Sequence, residues 1–515
     1  MGSGKSTLAT AVAARAGVAA IDLDQAIERR AGMSVSALFA AQGEAAFRAL
    51  EQATLRELVA DNPRAVFALG GGTVTSRELR HELLQQGTLI TLRAGVAELA
   101  RRVGDGAGRP LLAGSDVVAR LEALLAARAD AYAECHAELD TQAASESELA
   151  QRVLDVARAA PIAVPLGTRS YRVEVGSGLR ARVPQHTAVL AGGPARVVLV
   201  TDTHVRAWAE PIGAALRAAG HHVIDVLLPA GEEHKTLHSV ETIWQAALGG
   251  GIDRDSVVVA VGGGVVGDLS GFAASSLLRG VRVGHVPTTL LAMVDSAIGG
   301  KTGFDTAHGK NLIGAFHQPS FVLCDVDVLS SLPEAERRAG LAEVVKSAWI
   351  EGEHAVAMLE RDAAPLLAGD TDATVRAIRM SAGLKARIVT ADERESGARA
   401  LLNLGHTLGH AIEAAQGYAG IRHGEAVALG MVAALRLAEH LGHAGAADVA
   451  RAIRLLERLG LPTDVSPYLQ ERVLAFIGSD KKRRGAAIAF VLPGAPGHVE
   501  VRRLPLSELH AAWLR

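Results

Sequence analysis

The sequence predicts an α/β protein in three parts: two α/β domains with parallel sheets, then a mostly helical domain. Three observations carry this prediction. Over the first 158 or so residues, short apolar runs alternate with Ala-rich stretches of helical period, the pattern of parallel strands joined by crossover helices. After Pro161 a second alternation begins, with Val-rich runs as its strands. From about Ser330, long helical periodicities dominate to about Leu459. A chain of 515 residues has room for two to four domains, at roughly 100–200 residues each. The boundaries are placed at 1–158, 162–329 and 330–515.

Each element has its own signal. A Gly-rich start, Gly2-Ser3-Gly4-Lys5-Ser6-Thr7, runs into an amphipathic helix. Ala65–Leu69 and Thr88–Leu92 read as short buried strands, and Glu44–Val59 and Asp116–Glu138 as helices. Ser145 and Glu148 have capping-box spacing for a helix through Ala159, which Pro161 stops. Val197–Thr201, Val223–Leu227 and Ser256–Val261 are the strands of the second domain. Ile488–Leu492 is a strand near the end of the helical third part.

Composition narrows the function classes. Hydrophobic residues make up 49% and charged residues 21%, which is globular material. The net charge of −3 provides no basic field to draw nucleic acid or an anionic membrane. No apolar run is long enough to predict a membrane span. The two cysteines, Cys135 and Cys324, form neither a disulfide framework nor a Cys metal site. The reading expects a cytoplasmic protein acting on small molecules, with no leader ahead of the Gly-rich loop. Lysines number eight against 45 arginines: Lys5, Lys235, Lys301, Lys310, Lys346, Lys385, Lys481 and Lys482. Every one falls in a chemistry-bearing segment, where a compact ammonium cannot be exchanged for a planar fork.

The opening loop is the back half of a P-loop. Its backbone N–H groups and helix N-terminus cradle phosphate, Lys5 supplies a point charge, and the Ser6 hydroxyl reaches Mg²⁺. Asp22-Leu23-Asp24, Phe47-Arg48, Gly70-Gly71-Gly72, Arg109-Pro110-Leu111-Leu112, and Arg128 with Tyr132 follow in order. In this order and spacing the first domain resembles shikimate kinase. The resemblance implies that Gly2, Gly4, Lys5, Ser6 and Thr7 hold ATP with Mg²⁺, with Asp22 near the metal. It makes Arg109 a lid arginine and gives Asp24, Arg48, Gly71 and Arg128 to shikimate. That family has an apolar strand running into the first Gly of the loop. Here it is missing ahead of Met1, and the reading expects a start codon upstream.

The second and third parts carry a denser set of motifs. Asp202 ends one strand, and Gly231-Glu232-Glu233-His234-Lys235 follows another. Gly262-Gly263-Gly264-Val265-Val266-Gly267-Asp268 follows a third, where glycines let a backbone approach a pyrophosphate. Glu343 and Lys346 are spaced i, i+3, and His406 and His410 i, i+4, with His423 beyond. Two imidazoles and a carboxylate suit a catalytic Zn²⁺ with open positions. With Pro287-Thr288-Thr289, the run from Met293 to Gly303, Gly309-Lys310-Asn311 and the segments around Glu343, His406 and His423, residues 162–515 closely resemble 3-dehydroquinate synthase.

That resemblance implies a Rossmann-like NAD-binding domain followed by a helical metal-binding domain. The family turns 3-deoxy-D-arabino-heptulosonate 7-phosphate into 3-dehydroquinate and phosphate. NAD⁺ transiently oxidises a ring hydroxyl, the ketone acidifies the neighbouring C–H, and phosphate leaves by elimination. The hydride is then returned, and ring opening and an intramolecular aldol step close the carbocycle. The implied metal ligands, for Zn²⁺ or Co²⁺, are Glu343, His406 and His423, with His410 a proton carrier beside them. Arg279, Asp295, Asn311, Lys346, Lys385 and Arg399 are implied substrate contacts, joined by Lys481 or Lys482. Asp202, Glu232, Lys235, Gly263, Gly264, Val265, Asp268, Thr288, Thr289 and Lys310 fall on NAD-contacting segments, and Lys301 lies between the two groups. The whole chain resembles a fusion of two enzymes, dimeric through the synthase part. The rival reading is another sugar-phosphate cyclase carrying a non-catalytic kinase-like module.

Overall fold

A computed structural model describes residues 2–104, 112, 116–142, 144–395, 397–417, 420–477, 483–484 and 487–513. Arg109, Lys481 and Lys482 lie outside the described residues. The chain forms two compact units, Met1–Arg172 and Val173–Arg515.

In the first unit, Gly4 has left-handed dihedrals (φ 79°) and caps the helix Lys5–Ala16. Four strands follow: β1 (Ala19–Asp22), β2 (Ala65–Ala68), β3 (Ile90–Arg93) and β4 (Ala137–Asp140). Among the described residues they pair in parallel as β1 with β2 and β3 with β4, so the sheet is in two pieces. An apolar cavity of about 1310 Å³ lies along β2 and β3 and reaches Leu8 and Val12 of the first helix. Isolated strand pairs are marginal, and parallel strands are normally covered on both faces. A further parallel strand seated there would join the two pieces into one sheet. A short strand β5 (Ile162–Val164) comes later.

One helix reading in this unit is corrected. Asp116–Glu138 is not one helix: Val117–Ala127 and Ala129–Ala133 are helical, and β4 follows. The helix ends at Glu134, whose carboxylate is buried against Arg80 (2.6 Å), and the His136 amide donates to the Leu89 carbonyl at 2.7 Å. Four residues of Ala-Glu-Leu-Asp are too few for a period to separate strand from helix. Glu44–Val59 is helical as expected: the helical run Val35–Asp61 is broken by the non-helical Gly43 (φ 78°, ψ 171°), so a separate helix begins at Glu44. The capping box at Ser145 and Glu148 is formed, and its helix runs to Ala159.

The second unit is built on a parallel sheet of β6 (Tyr171–Gly176), β7 (Arg196–Asp202), β8 (His222–Leu228), β9 (Val257–Gly262), β10 (Arg282–Pro287) and β13 (Phe321–Asp325). Their spatial order is β6-β13-β10-β9-β7-β8. β9 is buried along its whole length between β7 and β10, which explains its uninterrupted valines. An antiparallel hairpin of β11 (Lys301–Thr306) and β12 (Gly309–Phe316) stands apart from this sheet. Helices Glu334–Glu351, Glu353–Ala368, Thr371–Ala391, His406–Ala415, His423–His440 and Ala446–Arg458 make up the helical part. The terminal strand reading is part of a small antiparallel sheet, β14 (Arg483–Arg484), β15 (Ala487–Pro493) and β16 (Val499–Pro505). β16 was not legible because most of its side chains face solvent.

Candidate functional site

Close helix contacts assemble the central cluster. A Cβ on Gly424 would sit 1.8 Å from the Ala339 carbonyl oxygen, and one on Gly430 1.8 Å from that of Gly405. Only glycine lets the helix His423–His440 approach the helix of Glu343 and the start of the helix of His406 this closely. The result is convergence. Glu343 Oε1 lies 3.4 Å from His406 Nε2 and 3.7 Å from His423 Nε2. Ligands on a tetrahedral ion with bonds of ~2.0–2.1 Å are separated by about 3.3–3.4 Å, so the donor spacing fits a metal. Glu343 is 1% exposed, yet its Oε1 has no hydrogen-bond partner, an expensive vacancy in a protein without a cation. The outer nitrogens are occupied: His406 Nδ1 lies 3.1 Å from the Leu404 carbonyl, and His423 Nδ1 3.2 Å from Glu413 Oε2. This leaves both Nε2 atoms for an ion.

Charge around the cluster is paired and buried. Lys346, 2% exposed, contacts the other Glu343 oxygen. Burial opposes a charge on His423, but the neighbouring carboxylates of Glu343 and Glu413 raise it to about 10. A cation would take over the role of that proton. Lys385 reaches Asp295 Oδ1 at 2.6 Å, and burial lowers the ammonium to about 8 despite that carboxylate. Burial disfavours the Asp295 charge, yet Lys385 and Lys346 hold its carboxyl well below the usual range. His410 is exposed, its ring centroid 5.3 Å from that of His406 and 6.1 Å from that of His423.

Arg399 is buried and donates to the Gly299 carbonyl at 3.0 Å and to the Glu393 carbonyl, so it holds the turn before β11. Lys301 pairs with Glu395, which also accepts from Asn403 Nδ2 at 3.0 Å. Asn311 has a left-handed backbone (φ 53°) fixed by its N–H to Asp305 Oδ1 at 2.8 Å. Arg279 is exposed with φ 66°, and no bond joins it to the cluster among the described residues. Glu413, Glu395 and Asn403 were missed. Glu413 had a readable signal, seven residues after His406 on the same helix face.

On the sheet side, Gly263 precedes the helix Gly264–Ser276. A Cβ there would come 3.1 Å from Thr289 Cγ2, and one on Gly264 3.2 Å from Ser296 Oγ, so side chains on this turn would be crowded. Val265 continues that first turn. Thr288 is buried and its Oγ1 lacks a partner. Lys235 reaches Asp268 Oδ2 at 2.6 Å, and burial pushes the Asp268 carboxyl up to about 6 in spite of it. Lys310 lies 3.2 Å from Glu232 and 3.9 Å from Glu413. Asp202 caps its own turn, accepting from the His204 and Val205 amides at 2.8 and 3.2 Å. A bare Gly turn at a helix N-terminus, with an unsatisfied hydroxyl beside it, fits a dinucleotide pyrophosphate.

The first unit has its own site. Gly2 and Gly4 are both left-handed, and Lys5, Ser6 and Thr7 open the following helix. Ser6 Oγ donates to Asp22 Oδ2 at 2.5 Å, which sets a hydroxyl and an acid beside the anion cradle, where Mg²⁺ fits. Arg48 pairs with Glu51 at 2.7 Å and lies against Gly72, where a Cβ would meet its Nη2 at 2.1 Å. Tyr132 donates to the Gly71 carbonyl at 2.7 Å, and Arg128 Nη1 lies 3.4 Å from the Tyr132 hydroxyl. Burial and the charges of Asp22 and Glu51 raise the Asp24 carboxyl.

A parallel sheet beside a helical donor cluster defines the class of the second unit, the sugar phosphate cyclase fold. The fold is shared with ValA, a 2-epi-5-epi-valiolone synthase from Streptomyces hygroscopicus solved with NAD⁺ and Zn²⁺ (29% identity, TM-score 0.61, 67% of this chain and 96% of that one). It is also shared with 2-deoxy-scyllo-inosose synthase complexed with carbaglucose-6-phosphate, NAD⁺ and Co²⁺ (25%, 0.61, 68% and 98%). The family models for 3-dehydroquinate synthase match residues 225–339 (N-terminal) and 340–483 (C-terminal), and that for shikimate kinase matches residues 1–158. The 3-dehydroquinate synthase of Geobacter metallireducens is 46% identical over 68% of this chain and 97% of its own length. That of Rhodospirillum rubrum is 48% identical over 64% and 88%. The chain belongs to the 3-dehydroquinate synthase family, with a shikimate kinase domain fused ahead of the synthase.

Proposed function

We propose that the second unit converts 3-deoxy-D-arabino-heptulosonate 7-phosphate to 3-dehydroquinate and phosphate at the Glu343–His406–His423 cluster. The first unit phosphorylates shikimate from ATP. The observation that carries the synthase reading is the buried Glu343 Oε1, unpartnered and facing two imidazole nitrogens. Zn²⁺ or Co²⁺ held by Glu343, His406 and His423 would supply Lewis acidity toward a substrate hydroxyl or ketone, and NAD⁺ held by the Gly263–Gly264 turn would supply reversible hydride acceptance. The chain's own residues do the rest. Lys346 fixes the second oxygen of Glu343, leaving the first for the metal. Lys385, beside Asp295, offers a compact cation to the substrate's carboxylate or phosphate. His410, exposed beside the two ligand imidazoles, moves protons on a ring nitrogen. Arg399 and the Lys301–Glu395–Asn403 set shape the wall between cofactor and substrate, with Asn311 on the same hairpin as Lys301.

In the first unit, Gly2, Gly4, Lys5, Ser6 and Thr7 hold ATP with Mg²⁺ near Asp22, and Asp24, Arg48, Gly71 and Arg128 hold shikimate. The fork of Arg48 suits a carboxylate, and the raised Asp24 carboxyl suits a hydroxyl partner. The domain boundaries 1–158, 162–329 and 330–515, homodimerisation through the synthase part and a cytoplasmic location belong to the same reading. The test is direct: the heptulosonate phosphate with NAD⁺ must yield equal amounts of phosphate and dehydroquinate. A product other than dehydroquinate would assign the site to a different cyclase.

A further inference from the structure

We propose that Glu413 is a positioning residue for the metal ligand His423. This rests on the reading of Glu343, His406 and His423 as the metal site. Glu413 sits on the helix His406–Ala415, seven residues after His406 and therefore on the same face. It is 5% exposed. Its Oε2 lies 3.2 Å from His423 Nδ1, and its Oε1 3.9 Å from Lys310 Nζ. Lys310 in turn lies 3.2 Å from Glu232. A continuous line of charge therefore runs from the nucleotide side, across the β11–β12 hairpin, to the back of a metal ligand.

The geometry separates two roles for this carboxylate. His410, Glu413 and His423 also bring one donor each within 4.8 Å of one another, so Glu413 could be a ligand in a second cluster. The His423 ring decides between them. Its Nε2 is directed to Glu343 Oε1, the atom shared with His406, and its Nδ1 to Glu413. An imidazole that gives Nε2 to an ion keeps its proton on Nδ1, and a carboxylate at hydrogen-bond distance accepts that proton. Glu413 thus sets the tautomer and orientation of His423 and increases the donor strength of its Nε2. Its place is behind the ligand, not on the ion.

Metal binding tests this without recourse to turnover. Metal-stripped full-length protein is titrated with Co²⁺, and the visible absorption of the bound ion is followed in wild type, Glu413→Gln, Glu413→Ala and His423→Ala. Wild type is expected to bind one equivalent at this site, and His423→Ala to lose it. Glu413→Ala should bind about 10- to 100-fold more weakly with a displaced absorption band. Glu413→Gln, which keeps an acceptor for Nδ1–H, should fall between, and the metal-free proteins should melt alike. A Glu413→Ala affinity within twofold of wild type, or two equivalents bound in wild type with one lost in Glu413→Ala, overturns the positioning role alone. A wild type that binds no ion, or binds one regardless of His423→Ala, overturns the metal-site reading itself.

Discussion

Gly430→Ala tests how the metal cluster is built. The new methyl would lie 1.8 Å from the Gly405 carbonyl oxygen, a backbone atom that no side-chain rotation can move. Ordinary contact begins near 3.4 Å, so the helix His423–His440 and the segment leading into His406 must separate by about 1.6 Å. Alanine favours the helix itself by ~1 kcal/mol. Overpacking costs ~1–3 kcal/mol, so a net loss of up to ~2 kcal/mol in stability is expected. The larger effect falls on the site. His406 follows Gly405 directly, and a displacement of this size is comparable to half the 3.4 Å separation of its Nε2 from Glu343 Oε1. Misplacement by ~1 Å can cost ~100-fold in rate. Urea unfolding and metal titration of the same samples give both numbers. Gly249→Ala is the control, since nothing lies within 4 Å of its added methyl. A Gly430→Ala protein with wild-type metal affinity and stability would refute the argument that glycine contacts set the donor spacing.

Four further outcomes follow. His423→Ala should abolish phosphate release from the heptulosonate phosphate, and a chelator should do the same to wild type, both read by a phosphate assay. Lys385→Arg should lose most synthase activity although its charge is kept, because the ammonium is buried against Asp295 where a planar fork does not fit; activity within twofold of wild type would count against this. The Lys385 ammonium titrates at about 8 and is charged below that value, so KM for the anionic substrate should rise as pH passes upward through 8; a KM profile flat from pH 7 to 9 would remove Lys385 from substrate binding. In the first unit, an N-terminal extension of about five apolar residues should pair with the open edges of β2 and β3, raising the melting temperature of that unit by several degrees and leaving the second unit unchanged; an unchanged first transition would show that the cavity along those strands does not take a strand.

The sequence was most legible where chemistry and local periodicity coincide. The i, i+4 spacing of His406 and His410 was readable, and so were the capping box at Ser145 and the valine runs of β7, β8 and β9. What it could not reveal was set by contacts distant in sequence. β4 was absorbed into a helix because four residues carry no period, and pairing with β3 decides their state. β16 was lost because its side chains face solvent. The backbone carbonyls of Gly299 and Glu393 that take two of the Arg399 N–H groups were not readable either. The closeness that Gly424 and Gly430 permit depends on Ala339 and Gly405, far from them in sequence. Among the lysines, Lys235, Lys346 and Lys385 are buried against carboxylates. That fits the reading that lysine is kept where a compact ammonium is required.

The most direct test of the account is metal reconstitution of the synthase reaction. Metal-stripped protein, supplied with NAD⁺ and the heptulosonate phosphate, should release no phosphate. It should regain full release with one equivalent of Zn²⁺ per chain, and Glu343→Ala should not recover at that dose. Full phosphate release by the metal-free protein would contradict the central claim that Glu343, His406 and His423 hold the ion on which the chemistry depends.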